Sequence, residues 1–174
     1  VICVVDVTIK ELCYMERFNL ISWTVQVERI KEVAKRFDVQ TIIVDQTGVG
    51  DPIVESLQRT CPNVQGYKFT GAPTGKQQLM EGLASAIQNR RVSFPRFITG
   101  RNADGEQVKM PNPLINELES FEYQIRVDKD KRVTGMSYSA PGGMHDDCVC
   151  ALALAVRCMT TAPVAPRLVM CGPA

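Results

Sequence analysis

The segment that most constrains the fold is residues 138–156, close to the end of the 174-residue chain. A Pro-Gly-Gly turn at 141–143 is followed by two adjacent acids, Asp146 and Asp147, and then by a run of small and apolar residues. This pattern predicts a helix from about residue 146 to 159 that packs against a sheet. Acids at a helix start also have a plain structural explanation, because they cap free backbone N–H groups and suit the positive end of the helix dipole.

A third acid, Asp45, changes the interpretation of this pair. It ends the apolar run 41–44 and precedes a glycine-rich loop at 46–50. A carboxylate that leaves a buried strand and carboxylates that start a helix against the same sheet can converge on one point. Because converging carboxylates repel each other unless a cation lies between them, the pattern indicates a divalent metal site.

The composition is that of one ordinary globular domain. The length allows a sizeable core, and 45% of the residues are hydrophobic and 22% are charged. The formal net charge of +1 argues against a generally basic nucleic-acid binder, so any basic face must be local. No apolar run approaches the ~20 residues that span a bilayer, and we expect no membrane partner.

The seven cysteines indicate buried, reduced thiols, as is typical of a cytosolic protein. Most of them have apolar neighbours. No Cys-x-x-Cys motif occurs and the chain has a single histidine, so the sequence argues against a zinc site.

The order of the predicted elements indicates an α/β fold with a mixed sheet covered by helices. Apolar runs predict strands at 1–7, 12–18, 41–45 and 64–69. Helices are predicted at 25–37, at 51–59, from a capping box at 74–77 to about 89, and at 112–121. Hairpins are expected within 96–110 and over 123–138. Residues 1–159 are predicted to form one domain, and residues 160–174, with three prolines and no periodicity, a C-terminal tail or linker.

Residues 71–76 resemble a phosphate-binding loop but lack its spacing. A Walker A loop has four residues between its glycines and Ser or Thr after its lysine, whereas here only three residues lie between the glycines and Gln77 follows the lysine. A nucleotide-binding domain is therefore a minor alternative. Basic residues that could contact a polyanion lie further along the chain, although solvated loop charges explain them more simply: Arg96, Arg101 and Lys109.

Four features, in this order, resemble one known family. They are Asp-Gln-Thr-Gly-Val-Gly at 45–50, Lys76 before a helix, Val-Ser-Phe-Pro at 92–95, and Tyr-Ser-Ala-Pro followed by His-Asp-Asp within 138–147. With them, residues 1 to about 159 resemble the C-terminal nuclease domain of the large terminase subunit of tailed bacteriophages. The resemblance implies a ribonuclease H-like fold, with a mixed sheet flanked by helices. In that family the domain cuts concatemeric viral DNA and is fused to an ATPase motor.

The resemblance also implies site residues. Asp45 matches the second acid of the family's site, and Asp146 and Asp147 match its closing acidic block. These three are the expected catalytic residues and the expected ligands of two Mg²⁺ ions, for which Mn²⁺ could substitute. DNA contacts are expected from Lys76, His145 and Arg101.

One acid of the family's site is not evident. The family has an acid on the first strand of its sheet, but only two strands precede the first predicted helix here, so residues 1–7 resemble the second strand. We therefore expect the first acid to lie upstream of Val1, and the sheet to lack its first, central strand unless another segment fills the gap. Asp6, which follows an apolar strand, is the alternative. If the acid is missing, this chain should be a weak or inactive nuclease.

The predicted function is metal-dependent endonucleolytic cleavage of double-stranded viral DNA during packaging, by two-metal hydrolysis at clustered aspartates. The resemblance implies a motor domain in the same larger protein, a portal and a small terminase subunit as partners, and the host bacterial cytoplasm as location. Alternatives within the same fold are a Holliday-junction resolvase, an integrase or a ribonuclease. A further alternative is a non-catalytic module that docks DNA or the portal, with carboxylates that only cap the helix.

Overall fold

The computed structural model describes residues 1–47, 51–69, 75–101, 106–161 and 168–172. The elements follow in the order β1 (Ile2–Asp6), β2 (Glu11–Glu16), α1 (Trp23–Arg36), β3 (Thr41–Asp45), α2 (Asp51–Gln58), β4 (Val64–Tyr67), α3 (Lys76–Gln88), β5 (Phe97–Arg101), β6 (Gln107–Pro111), α4 (Pro113–Ser120), β7 (Glu122–Val127), β8 (Val133–Ser139), α5 (Asp147–Thr161) and β9 (Leu168–Gly172). The strands, helices and hairpins that the sequence predicts up to residue 159 are present, with small shifts at their ends.

The main sheet is mixed and has five strands in the order β2-β1-β9-β3-β4. β1 pairs antiparallel with β2 and β9, whereas β3 runs parallel to both β9 and β4. Two further pairs, β5–β6 and β7–β8, form separate two-stranded hairpins. β5 contacts β2, at one edge of the main sheet, and β8 contacts α3.

Side chains alternate across the sheet, so different helices cover its two faces. Ile2 and Val4 of β1 pack with residues of α1 and α2, whereas Cys3 and Val5 pack with residues of α3, α4 and α5. Helix α5 contacts the sheet as well as α3 and α4, and residues 151–156 are all buried. Its position between two layers explains why its sequence is apolar on every side.

The structure of the C-terminal segment differs from the tail or linker that the sequence predicts. The sequence predicts a tail or linker from 160 to 174, but α5 continues to Thr161 and Leu168–Gly172 forms β9 in the middle of the sheet. β9 occupies the central position in the sheet that was expected to be empty in the absence of a first strand. Without it, the facing edges of β1 and β3 would carry rows of unpaired N–H and C=O groups, and even a short apolar run can supply the missing partners.

The described helices include none that is both long and apolar enough to cross a membrane.

Candidate metal centre

A cleft of about 250 Å³ opens at one end of the central strands, next to the start of α5. The charged side chains in its lining are those of Asp45, Asp146, Asp147 and Lys76. The rest of the lining is mostly apolar: Val1, Phe69, Cys150, Ala151, Leu154 and Cys171. The structure therefore brings together acids that are about a hundred positions apart in the chain.

The sheet places Asp45 at the rim of this cleft. β3 and β9 run parallel, with Val44 opposite Gly172, so the C-terminal ends of both strands lie at the same end of the sheet. Asp45 is the last residue of β3, and its Oδ1 accepts the N–H of Thr47 at 2.8 Å. The Oγ1 of Thr47 in turn accepts the N–H of Phe69 at 2.9 Å, which fixes the turn after β3 to the segment after β4.

Asp146 is held by an ion pair with the first residue of α3. The Nζ of Lys76 donates to the Oδ2 of Asp146 at 2.7 Å, and both side chains are partly buried. Burial alone would lower the pKa of the Lys76 ammonium, but the hydrogen bond to Asp146 and the neighbouring acidic groups more than offset it, so the pKa is raised. Lys76 therefore stays charged and balances part of the negative charge of the cleft.

Asp147 faces the open side of the cleft. Its side chain is 59% exposed, and its Oδ2 lies 3.6 Å from the Nδ1 of His145, which is also exposed. That distance is too long for a good hydrogen bond. His145 is therefore a neighbour of the carboxylate cluster, with no fixed orientation imposed by Asp147.

The remaining candidates lie elsewhere. The backbone of Arg101 ends β5, in the hairpin that contacts β2, and its side chain lies outside the described residues. The loop 70–74 also lies outside them, including most of the segment that resembles a phosphate-binding loop.

Asp6 and Asp45 lie at opposite ends of the strands of the main sheet. In the register of β1, β9 and β3, Asp6 pairs with Leu168, whereas Cys3 is level with Cys171 and Ile43. Asp6 and Asp45 are thus separated by about five strand residues, or ~16 Å. The Oδ1 of Asp6 accepts the N–H groups of Thr8 and Ile9 in the turn before β2. It is therefore not the acid that would complete this cleft.

The thiols that line the cleft remain neutral. Burial raises the pKa of Cys150 to about 12 and raises that of Cys171 well above its ordinary value. A neutral thiol is a poor nucleophile and a poor metal ligand. The polar chemistry of the cleft therefore belongs to its carboxylates and Lys76.

Glu117, a residue of α4 that reaches the start of α5, could not be recognised from the sequence as a neighbour of the site. Its Oε2 accepts the N–H groups of Cys148 and Val149 at 2.7 and 3.3 Å. A signal was present, because Glu117 lies three residues after Leu114, in the stripe that α4 buries. A charged residue in such a stripe needs a partner, which the sequence does not identify.

The donor chemistry fits a hard divalent cation. Carboxylate oxygens are the ligands that Mg²⁺ and Mn²⁺ prefer, and Asp45, Asp146 and Asp147 supply them at one cleft. Within the part of the chain that the structure describes, no three His, Cys, Asp or Glu side chains are already grouped closely enough to hold an ion. Ion binding would therefore require these side chains to turn toward one another.

Comparisons with known proteins identify the family. Residues 11–157 match the model of the terminase RNaseH-like domain. The large terminase subunits of Thermus phage G20c and Thermus virus P23-45 are each 30% identical to this chain over 159 residues, which make up 89% of the chain. The chain spans 28% of the length of these curated relatives.

Solved structures agree with the family match. Crystal structures of the large terminase nuclease from thermophilic phage G20c, one with bound magnesium and one with bound cobalt, give TM-scores of 0.68 and 0.67 at 26% sequence identity. The match covers 90% of this chain and 72% and 74% of those chains. The ribonuclease H-like fold inferred from the sequence is confirmed. Since the family model covers most of the sequence, the chain belongs to the family of terminase ribonuclease H-like domains.

Proposed function

We propose that this chain is the metal-dependent nuclease part of a phage large terminase subunit, an endodeoxyribonuclease that cuts concatemeric double-stranded viral DNA during genome packaging. The observation that carries the proposal is the meeting of Asp45 with Asp146 and Asp147 in one cleft. The relatives support it, because they are large terminase subunits and the G20c nuclease structures contain magnesium or cobalt.

In the proposed mechanism, Asp45 and Asp147 are the principal metal ligands and Asp146 is a neighbour that shares an ion. Two bound divalent ions would neutralise the scissile phosphate, activate a water molecule and hold the leaving oxygen. The chain itself contributes a rigid strand end and helix start that hold the acids. Since the nearby thiols are neutral, water is the proposed nucleophile.

DNA is the proposed partner at the cleft. Lys76 and His145 lie beside the carboxylates and are proposed to contact the phosphate backbone. Arg101 is proposed as a further contact. The net charge of +1 suggests that other parts of a larger protein also hold the DNA. A motor domain, a portal and a small terminase subunit are the proposed further partners, and the host bacterial cytoplasm is the proposed location.

Metal binding tests the site even if this chain cleaves DNA weakly. Calorimetry with Mn²⁺ should detect binding to the unaltered chain, and Asp45→Asn or Asp147→Asn should weaken it by at least tenfold, because each change removes a ligand charge. Asp38→Asn is a matched control, since this exposed residue precedes β3 at the other end of the sheet and Asn also tolerates its φ of 49°. Acids that only cap the helix would bind no Mn²⁺ tightly, and that result would contradict the proposal.

Cleavage tests the substrate class. In an intact large subunit with Mg²⁺, Asp45→Asn or Asp147→Asn should reduce cutting of linear duplex DNA by about 100-fold or more, since metal catalysis supplies several kcal/mol. Linear duplex should be cut in preference to a four-way junction or an RNA–DNA hybrid. Preference for the junction would favour a resolvase, and preference for the hybrid would favour a ribonuclease.

A further inference from the structure

The first turn of α5 is capped by a residue from another helix. The N–H groups of Cys148 and Val149 donate to the Oε2 of Glu117, which lies on α4 and is 6% exposed. α5 begins at Asp147, and the carbonyl of Asp146 accepts the N–H of Cys150 at 2.9 Å, so Asp146 occupies the N-cap position. In most helices the N-cap side chain itself accepts the N–H groups that Glu117 takes here.

Asp146 therefore has a carboxylate that its own helix does not use. Its Oδ2 instead accepts from Lys76 within the cleft, and Asp147 lines the same cleft. The two acids at the start of α5 have a structural explanation as caps, but in the described structure Glu117 performs the capping. The local geometry thus separates the acid that caps the helix from the acids that face the cleft.

The burial of the Glu117 carboxylate at this position carries a cost. The Oε1 of Glu117 is buried and has no hydrogen-bond partner among the described residues, and the guanidinium of Arg17 lies 3.7 Å away. Burying a carboxylate with one oxygen that accepts no hydrogen bond is costly, although the Arg17 ion pair and the positive end of α5 offset part of that cost. An Asp146 cap would satisfy the same N–H groups without burying a second charge.

We propose that Glu117 is a positioning residue for the candidate metal centre: it caps α5 from α4 and so leaves Asp146 free to face the cleft. This inference rests on the proposed function only in treating the cleft as a metal site. Without the Glu117 carboxylate, the Asp146 side chain would turn back to accept the N–H of Val149, and its contact with Lys76 would be lost.

Three variants of α4 test the proposal by calorimetry with Mn²⁺. Glu117→Ala should weaken Mn²⁺ binding by about 10- to 100-fold, the range typical for loss of a residue that orients a metal ligand. Glu117→Gln keeps an oxygen that can accept both N–H groups and should retain most of the affinity. Glu119→Gln is the control, since it removes an exposed carboxylate from the same helix and should change nothing.

The outcomes separate this inference from the proposed function. If the unaltered chain binds no Mn²⁺, the proposed function fails. If it binds Mn²⁺ and a folded Glu117→Ala variant binds equally well, Glu117 only stabilises the helix and the inference is wrong. Equal losses in the Ala and Gln variants would also contradict it, because the charge and not the cap would then matter.

A structural readout needs no metal. A crystal structure of Glu117→Ala should place the Asp146 carboxylate within hydrogen-bond distance of the Val149 N–H and away from Lys76; an unchanged Asp146 would overturn the inference. If Glu117→Ala does not fold, Glu117→Asp provides the same tests, because its shorter side chain cannot reach both N–H groups without movement of α4. Unchanged Mn²⁺ affinity in that variant would likewise overturn the inference.

Discussion

Lys76 places a positive charge among the three carboxylates of the cleft. Its Nζ lies 2.7 Å from Asp146, and the two side chains are 33% and 25% exposed. At this depth the pair is only partly screened by solvent, so it both orients Asp146 and reduces repulsion between the acids. The sequence indicated Lys76 as a candidate phosphate contact, but its ion pair with Asp146 could be identified only from the structure.

Replacement of Lys76 should destabilise the fold in a pH-dependent way. Lys76→Met leaves Asp146 unpaired, and we expect a loss of about 1 kcal/mol in the free energy of unfolding near neutral pH, since solvent screens part of the interaction. The pKa of Lys76 is raised in the folded state. Its stabilising contribution is therefore present below the unfolded-state pKa and is lost as the pH rises through the folded-state value.

Urea denaturation of both proteins between pH 7 and pH 11 checks this prediction. The difference between the unaltered chain and Lys76→Met should be constant up to about pH 10 and should shrink above it. Lys31→Met is a control, because Lys31 pairs with Glu28 one turn away on α1, and such a pair within a helix contributes only about 0.3 kcal/mol. A difference that grows at high pH would contradict the assigned sign.

The element that determines the site is α5. Its apolar residues bury it between the sheet and helices α3 and α4, and this burial fixes where its N-terminal acids lie. β3 places Asp45 in the same cleft, because the end of β3 is level with the end of β9. Apolar packing thus determines the position of charged groups that themselves contribute little to the core.

A cavity in α5 should destabilise the whole domain. Leu152 is completely buried, so Leu152→Ala should lower the free energy of unfolding by about 2–5 kcal/mol. Denaturation followed by the fluorescence of the single tryptophan, Trp23, measures the change. Met144→Ala is the control, because Met144 is 58% exposed and its loss should cost little. A cost below about 0.5 kcal/mol for Leu152→Ala would argue against the central position of α5.

At the scale of the whole molecule, the sheet is completed by the last described segment of the chain. β9 pairs with β1 on one side and with β3 on the other, so it joins two parts of the sheet that do not otherwise pair. The residue of β9 that lines the cleft is Cys171, and its neutral thiol does not replace an acid. That an acid upstream of Val1 completes the site stays a prediction.

A proline in β9 tests its central position. Met170 is level with Val4 of β1 and Ile42 of β3, and Met170→Pro removes a backbone N–H from the middle of the sheet. We expect a loss of about 3 kcal/mol or more in the free energy of unfolding. Met170→Ala keeps the N–H and should cost less. If Met170→Pro had no effect on urea denaturation, the segment would be a tail, as the sequence suggests.

The sequence by itself determined the order of elements up to residue 159 and the family. Hydrophobic periodicity is a local property, so α1 and β3 could be predicted from their own residues. The acids at 45, 146 and 147 could be singled out because each stands at the boundary of an apolar run.

The tertiary structure decided which distant groups meet. The run Leu168–Gly172 is as long as β3, but it lies among prolines at 163, 166 and 173, and its own residues do not indicate a strand. It becomes a strand because two strand edges provide hydrogen-bond partners on either side. Likewise, a glutamate on α4 can cap α5 only after both helices have packed. Local patterns specify elements, whereas pairing and capping between elements depend on contacts that form only in the folded chain.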